Sequence, residues 1–257
     1  MTPTAETLAG VMQAHVAAIP FENIDVQLGR PTSRALPDIF DKLVTRRRGG
    51  WCYEQNGLLA WALAEMGFAV TLLAGGVMRV AAGDAALGNH LALLVELADG
   101  FWLVDAGFGG SLAAPIRLAA GRYWHAPYGL SLAQLDDGSW RYGEEVDGKP
   151  FSFDFQAAQA DQALLDAHHV RLQSAPDSPF VLNLVVQRRV GERHLSLRGR
   201  VLTELGSDGE TEIVLADADA LVEALASRFD LDVPEIAAHW PAICARHTAI
   251  FGPTIAA

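Results

Sequence analysis

The spacing of the apolar residues changes after Gly67, and this change constrains the fold more than any other feature of the sequence. Before Gly67 the apolar residues recur every three to four positions, which is the period of an amphipathic helix. After Gly67 they alternate as in strands. The chain therefore begins with a helical unit and continues with a β-rich one. The predicted helices cover residues 4–19, Leu36 to about Arg46 and about Tyr53 to Met66.

The strands of the middle third are expected to pair antiparallel. Asp99-Gly100 is a hairpin turn signal, so the segments on either side of it should lie next to each other. This part of the chain predicts an antiparallel barrel or sandwich. The expected strands are Phe68–Leu73, His90–Leu97, Phe101–Asp105, Ser139–Tyr142 and Phe151–Phe155.

The segment Pro176-Asp177-Ser178-Pro179 predicts a boundary before the last third. Beyond it, glycine-containing turns separate three strands of a meander, and the chain then becomes helical again. The expected strands are Val181–Val190, His194–Leu202 and Thr211–Leu215, and the expected helices run from about Asp217 to Arg228 and from Pro234 to about Thr248.

The composition excludes several classes of protein. A net charge of −12 argues against nucleic acid or an anionic membrane as a general partner, because phosphate contacts need a basic surface. We find no apolar run long enough to span a membrane and no signal peptide. Since Cys52 and Cys244 suggest no disulfide framework, we expect a cytoplasmic protein.

Cys52 is the first candidate for chemistry. It lies where the Gly49-Gly50 turn enters the third predicted helix. Unpaired N–H groups and the helix dipole at such a position favour thiolate over thiol. A nucleophilic cysteine also needs a base, and the base needs an orienting partner. His90 opens one strand of the predicted hairpin and Asp105 closes the other, so these three residues form a candidate triad.

A structural interpretation of the same residues stays open at this point. Cys52 could be a small buried hydrophobe, His90 a polar strand end and Asp105 a turn residue. The register is also unfavourable, because a two-residue turn at Asp99-Gly100 places Asp105 opposite Leu94. That pairing would separate Asp105 from His90 by about 13 Å along the strand.

Several ordered motifs resemble those of the arylamine N-acetyltransferase family. The stretch from Arg48 to Asn56 is similar to the family's active-site signature, and the spacings from Cys52 to His90 and from His90 to Asp105 are similar to its triad. The resemblance covers nearly the whole chain in order. Further matching segments are Ile19–Asn23, His90–Val95, Trp102–Gly109, Ser178–Phe180 and Asn183–Val185.

The resemblance implies an α+β fold and a cysteine-peptidase-like triad. It implies an N-terminal helical bundle over 1–66, an antiparallel β-barrel over 67–178 and a C-terminal α/β lid over 179–257. One departure is visible, because the family's chains usually carry a further helical segment before the helix that leads into Pro20-Phe21-Glu22-Asn23. We therefore expect either a trimmed start or a reduced helical bundle.

The activity implied by the resemblance is a two-step transfer from acetyl-coenzyme A. Cys52 would take the acetyl group and pass it to an aromatic amine, hydrazine or hydrazide, with His90 as the base and Asp105 orienting its ring. The resemblance also implies supporting residues. These are Phe21 and Phe108 around the acceptor, Gly107, Gly109, Gly110 and Phe180 at the cofactor, and a buried Arg48–Glu22 pair that fixes the turn carrying Cys52.

We expect no metal. Cys244 has helical spacing to His239 and His247 but lacks further ligands, so we interpret it as an inert thiol. The alternatives to acetyl transfer are a hydrolase or amide synthase that uses the same triad, and a non-catalytic binding protein on the same scaffold. The expected oligomeric state is a monomer or homodimer.

Overall fold

The computed structural model describes residues 2–146 and 149–252, apart from the side chains of residues 146, 149 and 150. Met1, at the start of the first predicted domain, and residues 253–257, at the end of the third, lie outside the described residues. Among the described residues no helix is long and apolar enough to cross a membrane. The predicted domain boundaries stay predictions.

The first part of the chain is helical, as predicted. Thr4 caps the first helix by accepting a hydrogen bond from the N–H of Thr7 at 3.2 Å. A short strand lies between the first two helices. The elements are α1 (Ala5–Ala18), β1 (Phe21–Glu22), α2 (Ile24–Gln27), α3 (Leu36–Phe40), a π-helical turn (Asp41–Thr45) and α4 (Cys52–Glu65).

The middle of the chain forms an eight-stranded antiparallel sheet that curls into a nearly closed barrel. The strand order is β5-β4-β3-β2-β9-β8-β7-β6. The Tyr123 hydroxyl on β6 donates to the carbonyls of Arg117, at the end of β5, and Ala119, at 3.0 and 2.9 Å. The elements are β2 (Ala69–Val77), α5 (Arg79–Ala82), a 3-10 turn (Gly83–Ala86), β3 (His90–Leu97), β4 (Gly100–Val104), β5 (Ile116–Arg117), β6 (Gly121–His125), β7 (Tyr128–Gln134), β8 (Trp140–Val146) and β9 (Lys149–Phe155).

The predicted register of the β3–β4 hairpin is wrong by two residues. Leu97 pairs with Gly100 and Leu93 with Val104, so the turn lies at Ala98-Asp99. Gly100 adopts a φ of 126°, a conformation open to glycine, directly after the turn. The two-residue shift places Asp105 beside Ala92 rather than Leu94, on the same face as His90.

The last part of the chain is a five-stranded sheet with helices, and we call it the lid. The prediction of three meander strands is wrong, because the meander has four strands, β10 to β13. The fifth strand of the sheet, β1, comes from the helical part of the chain. Gly199, with a φ of 60°, turns the chain inside the predicted strand His194–Leu202 and splits it in two. The elements are α6 (Gln162–Ser174), α7 (Pro179–Leu182), β10 (Val185–Val190), β11 (Arg193–Arg198), β12 (Val201–Gly206), β13 (Gly209–Val214), α8 (Ala218–Phe229), a 3-10 turn (Pro234–His239) and α9 (Trp240–Phe251).

The start of the predicted strand Val181–Val190 is helical instead. Ser178 caps α7 by accepting from the Phe180 N–H at 3.2 Å, and Pro179 occupies the first helical position. Proline at that position is pre-organised for a helix. Residues 181 and 182 therefore belong to α7, and the strand begins only at Val185.

The fifth strand of the lid sheet comes from the helical part of the chain. Phe21 and Glu22 of β1 pair antiparallel with Gln187 and Val186 of β10. A bridge from Phe21 to Gly50 continues this contact toward the start of α4. The segment that precedes Cys52 is thus held by the lid as well as by the helices.

Candidate active site

Cys52 is the first residue of α4 and is 3% exposed. The extended Trp51 precedes it, and Glu54 Oε2 accepts a hydrogen bond from the Trp51 N–H at 3.2 Å. The turn before it needs glycine, because a Cβ on Gly49 would lie 2.4 Å from the Pro20 carbonyl oxygen, and one on Gly50 2.8 Å from Glu54 Oε2. The glycine pair therefore lets the chain turn tightly into the helix and presents Cys52 at its N-terminus.

His90 and Asp105 lie in direct contact despite the distance estimated from the sequence. The distance from His90 Nε2 to Asp105 Oδ2 is 2.7 Å, and both residues are buried. They are diagonal neighbours on one face of the β3–β4 pair, where long side chains reach each other. Since Nε2 is bound to Asp105, Nδ1 is the ring nitrogen left for Cys52.

The surroundings of His90 favour its protonated form. Burial lowers the pKa of His90, but the charge and hydrogen bond of Asp105 and the interactions with Cys52 outweigh this and raise the pKa to about 10. The same interactions with Cys52 place its side chain against the His90 ring. The structure therefore brings all three candidate triad residues together.

Asn56 holds Asp105 in place and was not singled out in the sequence. Its Nδ2 donates to Asp105 Oδ1 at 2.8 Å and to the Leu91 carbonyl at 2.6 Å, and its Oδ1 accepts from the Ala106 N–H at 2.9 Å. Asn56 lies four residues after Cys52, so the two share one face of α4. That spacing is the sequence signal that could have identified it.

The three predicted cofactor glycines occupy different surroundings. A Cβ on Gly107 would lie 2.6 Å from the Cα of Cys52, so this glycine is needed for packing against the start of α4. Its N–H donates to Asp105 Oδ1 at 2.8 Å. Gly109 and Gly110 have φ values of 80° and 93°, which favour glycine. The backbone after Asp105 is therefore shaped by glycine at each of these positions.

Arg189 and His194, which the sequence did not indicate, fix this glycine loop to the lid. Arg189 Nε donates to the Gly110 carbonyl at 2.8 Å, and Arg189 Nη2 donates to the Ser111 carbonyl at 3.0 Å. His194 Nε2 donates to the Gly109 carbonyl at 2.6 Å. The two residues are paired neighbours on β10 and β11. The carbonyl groups of the loop therefore face the lid.

Burial lowers the pKa values of both His194 and Arg189. It lowers the pKa of His194 to about 4, and the hydrogen bond to Gly109 only partly opposes this effect. His194 is therefore neutral near pH 7, with Nε2 carrying the proton and Nδ1 accepting from the Tyr128 hydroxyl at 2.6 Å. Burial lowers the pKa of Arg189 as well. A neutral histidine and a guanidinium bound by carbonyls thus hold the loop from the lid side.

Aromatic side chains lie on two sides of the triad. Phe108 packs against His90 with ring centroids 5.2 Å apart. Phe21 and Phe180 lie 6.2 Å apart, and Phe180 also contacts Trp51 at 5.3 Å. Phe108 therefore belongs to the barrel side of the site, whereas Phe21 and Phe180 lie between the helices and the lid.

Arg48 and Glu22 form the ion pair expected between them. The distance from Arg48 Nη2 to Glu22 Oε1 is 2.8 Å, and both side chains are buried. The pair belongs to a larger cluster, because Lys42 Nζ lies 3.0 Å from Asp25 Oδ2 and 2.9 Å from Glu54 Oε2. Lys42 and Asp25 were not predicted to take part.

Glu54 links this cluster to the start of helix α4. Burial raises the pKa of Glu54 to about 7, although the neighbouring Lys42 lowers it. The same carboxylate binds the N–H of Trp51, directly before Cys52. The charged cluster is therefore connected to the position of Cys52 by one side chain.

The part of the chain described here, residues 2–146 and 149–252, contains no group of three or more side chains that could hold a metal ion. The adjacent histidines His168 and His169 lie on helix α6. Cys52 and Cys244 are both free thiols.

Comparisons with known proteins give a consistent result. A family model described as N-acetyltransferase matches residues 4–238. An arylamine N-acetyltransferase of Mycolicibacterium smegmatis is 38% identical over 245 residues, which are 91% of this chain and 88% of that protein. The pineal gland isozyme NAT-3 of Gallus gallus is 34% identical over 226 residues, 79% of this chain and 77% of the relative.

Solved structures are similar over almost the whole chain. The Mycobacterium marinum arylamine N-acetyltransferase in complex with CoA is 33% identical, with a TM-score of 0.83, and the match covers 95% of this chain and 92% of that one. The arylamine N-acetyltransferase of Salmonella typhimurium is 30% identical, with the same TM-score and the same two shares.

Proposed function

We propose that this chain, which belongs to the arylamine N-acetyltransferase family, transfers acetyl groups to arylamines through a thioester on Cys52. It is an acetyl-coenzyme A-dependent acyltransferase. The observation that carries the assignment of the site is the buried 2.7 Å contact of His90 Nε2 with Asp105 Oδ2, beside the N-terminus of the helix that begins with Cys52.

The first step forms the acetyl-enzyme. The Cys52 thiolate attacks the thioester carbonyl carbon of acetyl-coenzyme A, and a C–S bond forms as the carbonyl becomes a tetrahedral oxyanion. When this intermediate collapses, the bond to the sulfur of coenzyme A breaks. The proton of the His90 imidazolium passes to the leaving thiolate, so that neutral His90 and acetylated Cys52 remain.

The second step delivers the acetyl group. The amine nitrogen attacks the carbonyl carbon of acetyl-Cys52, and His90 Nδ1 takes the proton that the nitrogen loses. The bond from the carbon to Cys52 Sγ breaks, which restores the thiolate and the imidazolium. Asp105 keeps the ring oriented through Nε2 and stabilises its positive charge.

The substrate contacts are assigned by position. Phe108, packed edge-on against His90, offers an aromatic surface to a flat acceptor beside the base. Phe21 lies on the opposite side, next to Phe180. We assign Phe21 and Phe108 to the aromatic amine, hydrazine or hydrazide acceptor, and Gly109, Gly110 and Phe180 to the coenzyme A donor.

Gly107 has a structural reason to be glycine besides its proposed place near the donor. Its missing side chain is already required by the approach to Cys52, so glycine at this position does not need a cofactor to explain it. We keep Gly107 among the residues near the donor because its backbone lies between Asp105 and Phe108.

The cellular setting also belongs to the proposal. Two free thiols support a reducing cytoplasm, because the proposed chemistry needs Cys52 unoxidised. The net charge of −12 supports the expectation that nucleic acid is not a partner.

Intact-mass spectrometry tests nucleophile and donor together. After mixing with acetyl-, propionyl- or malonyl-coenzyme A, the wild type should gain one acyl group, with acetyl preferred, and lose it when an arylamine is added. Cys52→Ala should gain none, whereas the matched variant Cys244→Ala should behave as the wild type. Acylation of Cys52→Ala, or hydrolysis that does not depend on the acceptor, would contradict the proposal.

A further inference from the structure

Glu144 is a buried carboxyl group that the two-step transfer does not use. It is 9% exposed, and its Oε2 is buried with no hydrogen-bond partner among the residues that the structure describes. The hydroxyl groups of Ser111 and Tyr142 lie 3.2 Å from each other and close enough to the carboxyl group to lower its pKa, but neither forms a hydrogen bond with Oε2. A buried carboxylate oxygen without a donor is costly, so such an oxygen marks a position that a ligand could complete.

The position of Glu144 connects it to the triad. It shares the inner face of β8 with Tyr142, which is fully buried, and it pairs with Phe151 on β9. Paired residues in an antiparallel sheet have Cβ atoms about 5 Å apart. Phe151 stacks on Phe108 with centroids 5.0 Å apart, and Phe108 contacts His90. An aromatic wall therefore runs from the catalytic base to Glu144.

The electrostatics agree with this position. Burial raises the pKa of Glu144 to about 7, and repulsion by Asp105 adds to the effect. The interaction with Asp105 indicates that Glu144 lies within electrostatic range of the triad. Near pH 8 the carboxylate is the main form, and it can only accept hydrogen bonds.

We propose that Glu144 determines acceptor specificity: its Oε2 accepts a hydrogen bond from a hydroxyl or amino group at the end of the aromatic ring remote from the reacting amine. This inference rests on the proposed function, in which the amine meets Cys52 and His90 while the ring lies along Phe108. The preferred substrates are then arylamines with a second hydrogen-bond donor opposite the first.

The chemistry of such a site makes the selection strong. A site built to bind a hydroxyl or amino group rejects the analogue that lacks it, because its own polar atom is then left unpaired. A methyl group in the same place would add apolar contact with Phe151 but leave Oε2 without a donor. Glu144 should therefore separate acceptors of nearly equal size.

The test compares two acceptors and four proteins at pH 8. The acceptors are 4-aminophenol and 4-methylaniline, and the proteins are the wild type, Glu144→Met, Glu144→Gln and the control Glu145→Met. Glu145 is exposed and lies next to Glu144 in the same strand. The ratio of kcat/KM for 4-aminophenol to that for 4-methylaniline should fall about 10-fold or more in Glu144→Met and less in Glu144→Gln.

The control should keep the wild-type ratio. A ratio in Glu144→Met within about twofold of the wild type would overturn the proposal.

Two further measurements keep the result interpretable. Acetylation of Cys52 by acetyl-coenzyme A alone reports whether each variant is folded and whether the proposed function itself holds, independently of the ratio. In the wild type, phenol should inhibit transfer to 4-methylaniline more strongly than methoxybenzene, which lacks the donor. Equal inhibition would contradict the inference even if no Glu144 variant folds.

Discussion

His90 lies between a carboxylate and a thiol, and this arrangement makes the fold itself sensitive to pH. The pKa of His90 is about 10 in the folded protein, above the ordinary value of 6.5. The protonated ring therefore contributes stability that is fully present below pH 6.5 and is lost as the pH rises through about 10. Asp105 is a main cause of this contribution.

Asp105→Asn should remove most of this pH dependence. At pH 7 the urea midpoint of the wild type should exceed that of the variant, and the gap should narrow as the pH is raised through about 10, because the wild type then loses its imidazolium. The exposed Asp136→Asn provides the control and should keep a constant gap. A gap for Asp105→Asn that does not change between pH 7 and pH 10.5 would contradict the assignment.

At the residue scale, the local sequence around single residues was enough to predict the three candidate triad residues. Cys52 follows a glycine turn and precedes a helix, and His90 and Asp105 lie at strand ends, so each has a sequence context that suggests chemistry. Arg189 and His194 have no such context, because they act on carbonyl groups that are distant in sequence. Only the folded chain brings those partners together.

At the scale of single elements, hairpin pairing shows where sequence reasoning fell short. The dipeptide Asp99-Gly100 correctly indicated a turn, but the turn residues are Ala98 and Asp99. A glycine can be a turn residue or the first residue after the turn, and the dipeptide alone does not distinguish these cases. The corrected register brings His90 and Asp105 within reach, since side chains close the remaining two-residue offset.

The charged cluster beneath α4 leads to a prediction about Lys42. Lys42→Met leaves the three carboxylates of Glu22, Asp25 and Glu54 without their shared buried cation. Among the described contacts, Arg48 still pairs with Glu22 and Asp25, and the half-exposed Arg30 with Asp25, but Glu54 keeps no ion pair. Breaking a buried ion pair from one side costs about 3–5 kcal/mol, because the charge left behind stays buried. Urea unfolding should show a loss of this size together with slower acetylation of Cys52.

Arg46→Met is the matched control for this prediction. Arg46 forms a 2.8 Å ion pair with Asp41, and both side chains are more than half exposed. Exposed pairs of this kind contribute about 1 kcal/mol or less. If Lys42→Met and Arg46→Met lower the free energy of unfolding by equal amounts, the buried cluster does not support the helix that carries Cys52.

For the whole molecule, the hydrophobic periods predicted a helical part, then a β-rich part, then strands followed by helices, but they did not predict the contacts between these parts. Strand β1 has two residues, too few for an alternating pattern, and its partner β10 lies far along the chain. Its role in the lid sheet was therefore invisible in the sequence. The result is that the lid is fastened to β1, which itself bridges to Gly50 two residues before Cys52.

Asn23, which follows β1, is the side chain that fastens the lid most directly. Its Nδ2 donates to the carbonyls of Phe180 and Asn183, each at 2.8 Å, and its Oδ1 accepts from the Val185 N–H at 2.8 Å. These bonds span the end of α7 and the start of β10. They hold Phe180, which we assign to the donor site, against the helical part of the chain.

Asn23→Ala should loosen this part of the lid while the barrel keeps its stability. Three hydrogen bonds are lost, and at about 1 kcal/mol each the local opening should become roughly 100-fold more frequent. Hydrogen exchange should accelerate by that factor over residues 179–186 and stay unchanged in β3, and the KM for acetyl-coenzyme A should rise because Phe180 is less firmly held. The control Gln13→Ala replaces an exposed residue on α1 and should leave the exchange rate over 179–186 and the KM for acetyl-coenzyme A unchanged. Wild-type exchange over 179–186 in Asn23→Ala would contradict this role, because the β1 pairing and the Gln27 hydrogen bonds to the carbonyls of Phe180 and Val181 would then suffice to attach the segment.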